Sequence, residues 1–133
     1  MTASLQGTRI LVIDDDGDTL EALEDLLSAT GATVVTARNA NEALACFDDR
    51  RPDLIVSDLG MPDGDGYQLI RRVRARTAFD PEGTPAIALT ALTGELAQKR
   101  AMLAGYQAHL SKPINPLALV QKIHQLVGSR LGG

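Results

Sequence analysis

The sequence predicts an α/β domain, a parallel sheet covered by helices on both faces. Three observations lead there. Short runs rich in branched aliphatics alternate five times with amphipathic stretches along 133 residues. Chemically unusual residues stand where several of those runs end. The composition, 44% hydrophobic but only 3% aromatic and without Trp, calls for an aliphatic core in one compact domain.

The elements follow in order. "RILVID" (9–14) is short and branched and stops at an acidic cluster, so it reads as a buried strand. Leu20, Leu23 and Leu27 then recur at three- and four-residue intervals, the mark of a helix with one buried face that ends near Gly31. "TVVTA" (33–37) is the second strand, and Asn39 with Glu42 resembles a capping box opening a helix through Phe47. Cys46 falls in that helix as a small packing residue. After Pro52, "DLIVS" (53–57) is the third strand. A Gly- and Asp-rich loop then leads to a helix from about Tyr67 that carries Leu69, Ile70 and Val73. "PAIALT" (85–90) is the fourth strand, "GELAQKRAMLA" a helix stopping at Gly105, and "AHLS" (108–111) a short fifth strand. Asn115 as N-cap and Pro116 in the first turn start a last helix, which buries Leu117, Val120, Ile123 and Val127. Residues 1–8 read as a flexible lead, 9–128 as the domain and 129–133 as a tail.

Composition excludes several functions. A net charge of -4, with no basic stripe, argues against nucleic-acid binding. "RRVRAR" (71–76) is the one basic cluster and reads as the solvated face of a helix. No apolar run approaches the ~20 residues that span a bilayer, and no signal segment opens the chain. With a single cysteine and no sign of an oxidising compartment, a soluble cytoplasmic protein is expected.

In a parallel α/β sheet, functional groups gather at the carboxyl ends of the strands. Here those ends are Asp14, Asp15 and Asp16 on the first strand, Asp58 on the third and Thr90 on the fourth, with Lys112-Pro113 following the fifth. Carboxylates brought together repel unless a cation neutralises them. Oxygen-only ligation suits Mg²⁺, whereas one Cys and two unspaced histidines, His109 and His124, do not suit zinc. A lysine facing the carboxylates could neutralise a phosphoryl oxygen, and a threonine hydroxyl could donate to another. No Walker-type loop indicates a nucleotide. The pattern suits phosphoryl transfer onto a carboxylate.

Four motifs at successive strand ends make the chain resemble the receiver domains of two-component response regulators over nearly its whole length. They are Asp14-Asp15 after "LVI", "DLGMPDGDG" from Asp58 to Gly66, "LTA" with Thr90 and Ala91, and Lys112-Pro113. The resemblance implies a flavodoxin-like sheet of strand order 2-1-3-4-5. It further implies Asp58 as phosphoacceptor and Mg²⁺ held by Asp14, Asp15, Asp58 and the Gly60 carbonyl. Thr90 would contact the phosphoryl group and Lys112 would pair with one of its oxygens. The Lys112-Pro113 bond is expected to be cis, and Gly66 to supply a positive φ. Such a domain catalyses only its own phosphorylation and dephosphorylation.

Two rivals compete for the opening cluster. A haloacid-dehalogenase phosphatase would use Asp14, Asp16 and Gly17 but needs Thr where Asp18 stands. An EF-hand beginning at Asp14 would need Gly and Glu where Thr19 and Asp25 stand. Asp16 and Asp18 instead suit the start of the first helix, where negative charge opposes the positive end of the helix dipole.

One departure from the family is His109, which stands where many receivers carry Tyr or Phe. "AHLSKP" resembles the receivers attached to hybrid sensor histidine kinases, and His109 is expected to be partly buried and hydrogen-bonded. The family resemblance implies a histidine kinase or histidine phosphotransfer domain as donor. Only "GSRLGG" follows the last helix, so output is expected through a protein target on the helix 4–strand 5–helix 5 surface. A phosphate shuttle, a piece of a hybrid kinase and a receiver-like contact module that is never phosphorylated stay open.

Overall fold

The computed structural model describes residues 4–62, 65–76, 83–91 and 95–131, with side chains as far as 128. Its elements are β1 (Arg9–Ile13), α1 (Gly17–Ser28), β2 (Thr33–Ala37), α2 (Ala40–Arg50), β3 (Leu54–Asp58), α3 (Asp65–Arg76), β4 (Ala86–Thr90), α4 (Glu95–Ala104), β5 (Ala108–Ser111) and α5 (Pro116–Leu131). All neighbouring strands pair in parallel in the order β2-β1-β3-β4-β5. The order reverses between β1 and β3, which opens a crevice at their carboxyl ends.

Alternation along the strands divides the core between two faces. Leu11, Ile55 and Ala88 meet α2, α3 and α4 through Phe47, Leu69, Ile70, Val73 and Ala101. Val12, Val56 and Ile87 meet α1 and α5 through Leu20, Leu23, Leu27, Leu119, Val120, Ile123 and Val127. Polar side chains fix the helix starts. Asp16 caps α1, accepting the Asp18 N–H at 3.3 Å and the Thr19 hydroxyl at 2.7 Å. Asn39 accepts the Glu42 N–H at 2.8 Å, while Glu42 reaches back to the N–H of Arg38 at 3.0 Å. Asn115 accepts the Ala118 N–H at 3.0 Å.

Several expectations are corrected. Leu117 is 62% exposed, and Leu119 takes the buried place, because Leu117 lies off the stripe formed by Leu119, Val120, Ile123 and Val127. In the lead, residues 4–8 are tied down: Leu5 is buried and its N–H donates to Thr30 O at 3.0 Å, and Thr8 O accepts the Thr33 N–H at 2.9 Å. At the other end, α5 continues to Leu131, into the expected tail. The start of α3 is Asp65, whose carboxylate also accepts the Ala40 N–H at 3.2 Å. In "RRVRAR", Arg74 is half-buried and Arg76 pairs with Asp48 at 2.7 Å. The expected helix start at Gly94, the middle of the "MPDGDG" loop and residues 1–3 lie outside the described residues.

Candidate functional site

Each strand of the central trio ends on a polar group at the same edge. The chain leaves β1 at Asp14, β3 ends on Asp58 and β4 on Thr90, and all three residues are buried (1%, 4% and 3% exposed). Register keeps them level: Ile13 pairs with Ser57, Asp58 with Leu89, and Thr90 with Ser111. Beyond β5 the chain turns through the cis Lys112-Pro113 bond, and the Lys112 N–H donates to Thr90 O at 2.8 Å.

That turn carries the Lys112 ammonium between two carboxylates, 3.1 Å from Asp58 Oδ1 and 3.4 Å from Asp14 Oδ2. Asp14 Oδ1 accepts the Asp16 N–H at 3.0 Å, and Asp58 Oδ1 accepts the Gly60 N–H at 3.0 Å. Asp15, exposed, completes a group whose ligand oxygens, one each from Asp14, Asp15 and Asp58, lie within 4.8 Å of one another. One ammonium, paired with Asp14 and Asp58, thus faces three carboxylates, which leaves the cluster negative. All the converging donors are oxygens, as a hard cation requires, so the cluster could hold a metal ion.

Electrostatics register the imbalance. Burial pushes the Asp14 carboxyl up; the Asp16 N–H works against this, the Asp58 charge adds to it and Lys112 opposes it, and the net is upward. For Lys112, burial alone would lower the ammonium, but the Asp58 hydrogen bond and the charges of Asp14 and Asp58 outweigh it and hold it above its ordinary value.

The other expected residues sort as follows. Ala91 and Pro113 are exposed beside the site. On β5, half-buried His109 pairs with Ala88 of β4, and its buried Nε2 has no hydrogen-bond partner among the described residues, contrary to the expected hydrogen-bonded ring. Gly66 does not take the positive φ expected of it. It lies in the first turn of α3, where an added Cβ would meet Asp58 O at 2.6 Å, so glycine is required by close approach. At Gly60 an added Cβ would sit 3.4 Å from Asp58 Oδ1, an ordinary contact.

Sequence reasoning missed Ser57, Tyr106 and Arg74. The Ser57 hydroxyl donates to Asp58 O at 3.3 Å, and the buried Tyr106 hydroxyl donates to Gly66 O at 2.7 Å. A tyrosine standing among so few aromatics, right after a helix-ending glycine, was the available signal.

Comparison with known proteins agrees with this geometry. The family model for the response regulator receiver domain matches residues 10–124. An uncharacterised 14.6 kDa protein of Leptolyngbya boryana is 44% identical over 118 residues, 87% of either chain. Hybrid signal transduction histidine kinase D of Dictyostelium discoideum is 34% identical over 92% of this chain, which spans only 8% of that protein. Among solved structures, the receiver domain of the Francisella response regulator 1452 superposes with a TM-score of 0.84 at 26% identity, covering 93% of this chain and 99% of that one. With five parallel strands in the order 2-1-3-4-5 and these relatives, the chain belongs to the response regulator receiver domain family, the receiving module of phosphorelay signalling.

Proposed function

We propose that Asp58 accepts a phosphoryl group from a phosphohistidine donor, with Mg²⁺ bound by Asp14, Asp15, Asp58 and the backbone of Gly60. The observation that carries this reading is the Lys112 ammonium seated between Asp58 and Asp14 at the end of three level strands. A carboxylate oxygen of Asp58 attacks phosphorus, the P–N bond to the donor imidazole breaks, and that ring leaves with the bonding pair and takes a proton. The product is an acyl phosphate on Asp58. Lys112 pairs with a phosphoryl oxygen and Thr90 donates its hydroxyl to another. Bound Mg²⁺ supplies positive charge to the phosphoryl oxygens. Hydrolysis by water returns the carboxylate, so the chain acts only on its own phosphate.

The surroundings support two partner surfaces. An apolar groove of about 470 Å³ between α1 and the β5–α5 loop, lined by Leu23, Leu26, Pro113 and Ile114, reaches Lys112 and suits the donor domain. On α4, Leu96, Met102 and Leu103 are exposed, which suits a protein target at the α4–β5–α5 surface. No helix of the described residues is long and apolar enough to cross a membrane.

Incubation with Mg²⁺ and acetyl phosphate tests the reading. One phosphoryl per chain is expected by mass, labile to hydroxylamine and absent from Asp58→Asn. Sustained turnover of phosphate esters that survives Asp58→Asn would overturn it in favour of a phosphatase.

A further inference from the structure

Tyr106 is 2% exposed and ranks among the largest fully buried side chains, yet it carries a hydroxyl into an otherwise apolar cluster with Leu59, Met61, Leu69 and Ile70. A buried phenol needs a partner, and the acceptor it has belongs to the phosphoacceptor's surroundings. The hydroxyl donates its single proton to Gly66 O at 2.7 Å. Gly66 rests directly on the carbonyl of Asp58, with no room for a methyl group between them. Ser57 precedes Asp58 and donates to that same carbonyl at 3.3 Å. The phenol, arriving from the α4–β5 junction, therefore holds Gly66 against the carbonyl of Asp58. Between Asp58 and Gly66 in the chain stands Gly60, whose N–H holds Asp58 Oδ1 at 3.0 Å. Burial pushes the phenol far above its ordinary value, which favours its neutral, donating form.

We infer that Tyr106 is a positioning residue for the Asp58 site: its hydroxyl holds Gly66 against the Asp58 carbonyl and so keeps Asp58 in the geometry that binds a divalent cation. This rests on the reading of Asp58 as a Mg²⁺-assisted phosphoacceptor. Phenylalanine would fill the same space in the core but leave the β3–α3 segment free to shift at Gly66. The consequence is a loss of cation affinity out of proportion to any loss of stability.

The test is a Mg²⁺ titration of the whole chain followed by amide NMR shifts of the β3–α3 segment, alongside thermal midpoints. It compares wild type, Tyr106→Phe, Ser57→Ala and a control, Ile123→Val, in the core on the other face. Tyr106→Phe is expected to weaken Mg²⁺ binding about tenfold, the size of effect seen when a group supporting a metal ligand is removed. Ser57→Ala should shift affinity in the same direction, and the control should stay within about twofold. Unchanged Mg²⁺ affinity in Tyr106→Phe overturns the inference, as does an equal loss in the control. If Tyr106→Phe does not fold, Tyr106→Met, which also lacks the hydroxyl, decides in the same way. Wild type that binds Mg²⁺ but takes no phosphoryl group refutes the phosphoacceptor reading and leaves the positioning role to be judged on affinity. Wild type that binds no Mg²⁺ refutes both.

Discussion

At the amino ends of β4 and β5, the half-buried guanidinium of Arg74 donates four hydrogen bonds, all to neutral oxygens. Two go to Gly105 O at 3.0 and 2.8 Å, one to Thr84 O at 2.6 Å and one to the Gln107 side chain at 2.7 Å. At the carboxyl ends of the same sheet, Asp14 and Asp58 share the Lys112 ammonium, and Asp15 stands beside them without an ion pair among the described residues. Arg74 has its donors matched by oxygens of Gly105, Thr84 and Gln107, which offset part of what burial costs its charge, and it ties α3 to the sheet. The carboxylates remain in excess, a state that favours an arriving cation over the resting fold. The hydrogen-bonding capacity of Arg74 is thus met, whereas the carboxylate cluster is left short of positive charge.

Replacement of Arg74 should show the larger effect on stability. Arg74→Met keeps much of the side-chain volume but strips donors from Gly105, Thr84 and Gln107, and is expected to cost about 3 kcal/mol in urea unfolding. The folded fraction should still take up phosphate from acetyl phosphate. A loss below about 1 kcal/mol would mean that water replaces the guanidinium, and the contrast between the two ends would weaken.

A cation should act on the other end alone. A cation held by the native cluster and not by the unfolded chain would stabilise the fold, so Mg²⁺ at ten times its dissociation constant is expected to add about 1.4 kcal/mol to wild type. Chelation should reverse the gain. Asp14→Asn moves in the opposite sense to Arg74→Met: without cation it should stabilise the fold by roughly 1 kcal/mol, since it removes a buried charge that Lys112 only partly offsets. The amide oxygen can still accept the Asp16 N–H. The same variant should lose at least about tenfold in Mg²⁺ affinity. If Asp14→Asn destabilises instead, the resting site is not short of positive charge.

What could be read from the sequence follows the range of the interaction. Asp14, Asp58 and Lys112 were legible because each ends or follows a short apolar run, and the parallel topology brings such ends together. Caps at Asp16, Asn39 and Asn115 were legible because their partners lie two or three residues away. Arg74 was not, because its acceptors at Thr84 and Gly105 lie 10 and 31 positions on, and a basic run on a helix ordinarily faces water. Gly66 was read with the wrong cause: its crowding comes from the carbonyl of Asp58, a contact across the turn that no local pattern records. Leu117 and Leu119 both begin the same helix, and only the seating of α5 on the sheet decides that Leu119 goes inside.

The smallest effect expected is a pH dependence, and its sign separates the two charged partners within the site. The folded Asp14 carboxyl lies above its ordinary value of 3.8, so between the two values the native state holds a proton that the unfolded chain has released. Stability from this group therefore falls as pH rises through that window, and it is highest below it. The advantage of Asp14→Asn over wild type, measured without cation, should be least near pH 3.8, widen as pH rises and then level off once Asp14 is ionised in both states. Lys112 cannot mimic this trend. Its folded value lies above the ordinary 10.5, so its contribution is complete at every pH below that and fades only in alkali. Paired urea titrations of the two proteins from mildly acid to neutral pH would show the trend. A gap that is flat across that range would mean Asp14 is already neutralised in the resting fold, by Lys112 alone.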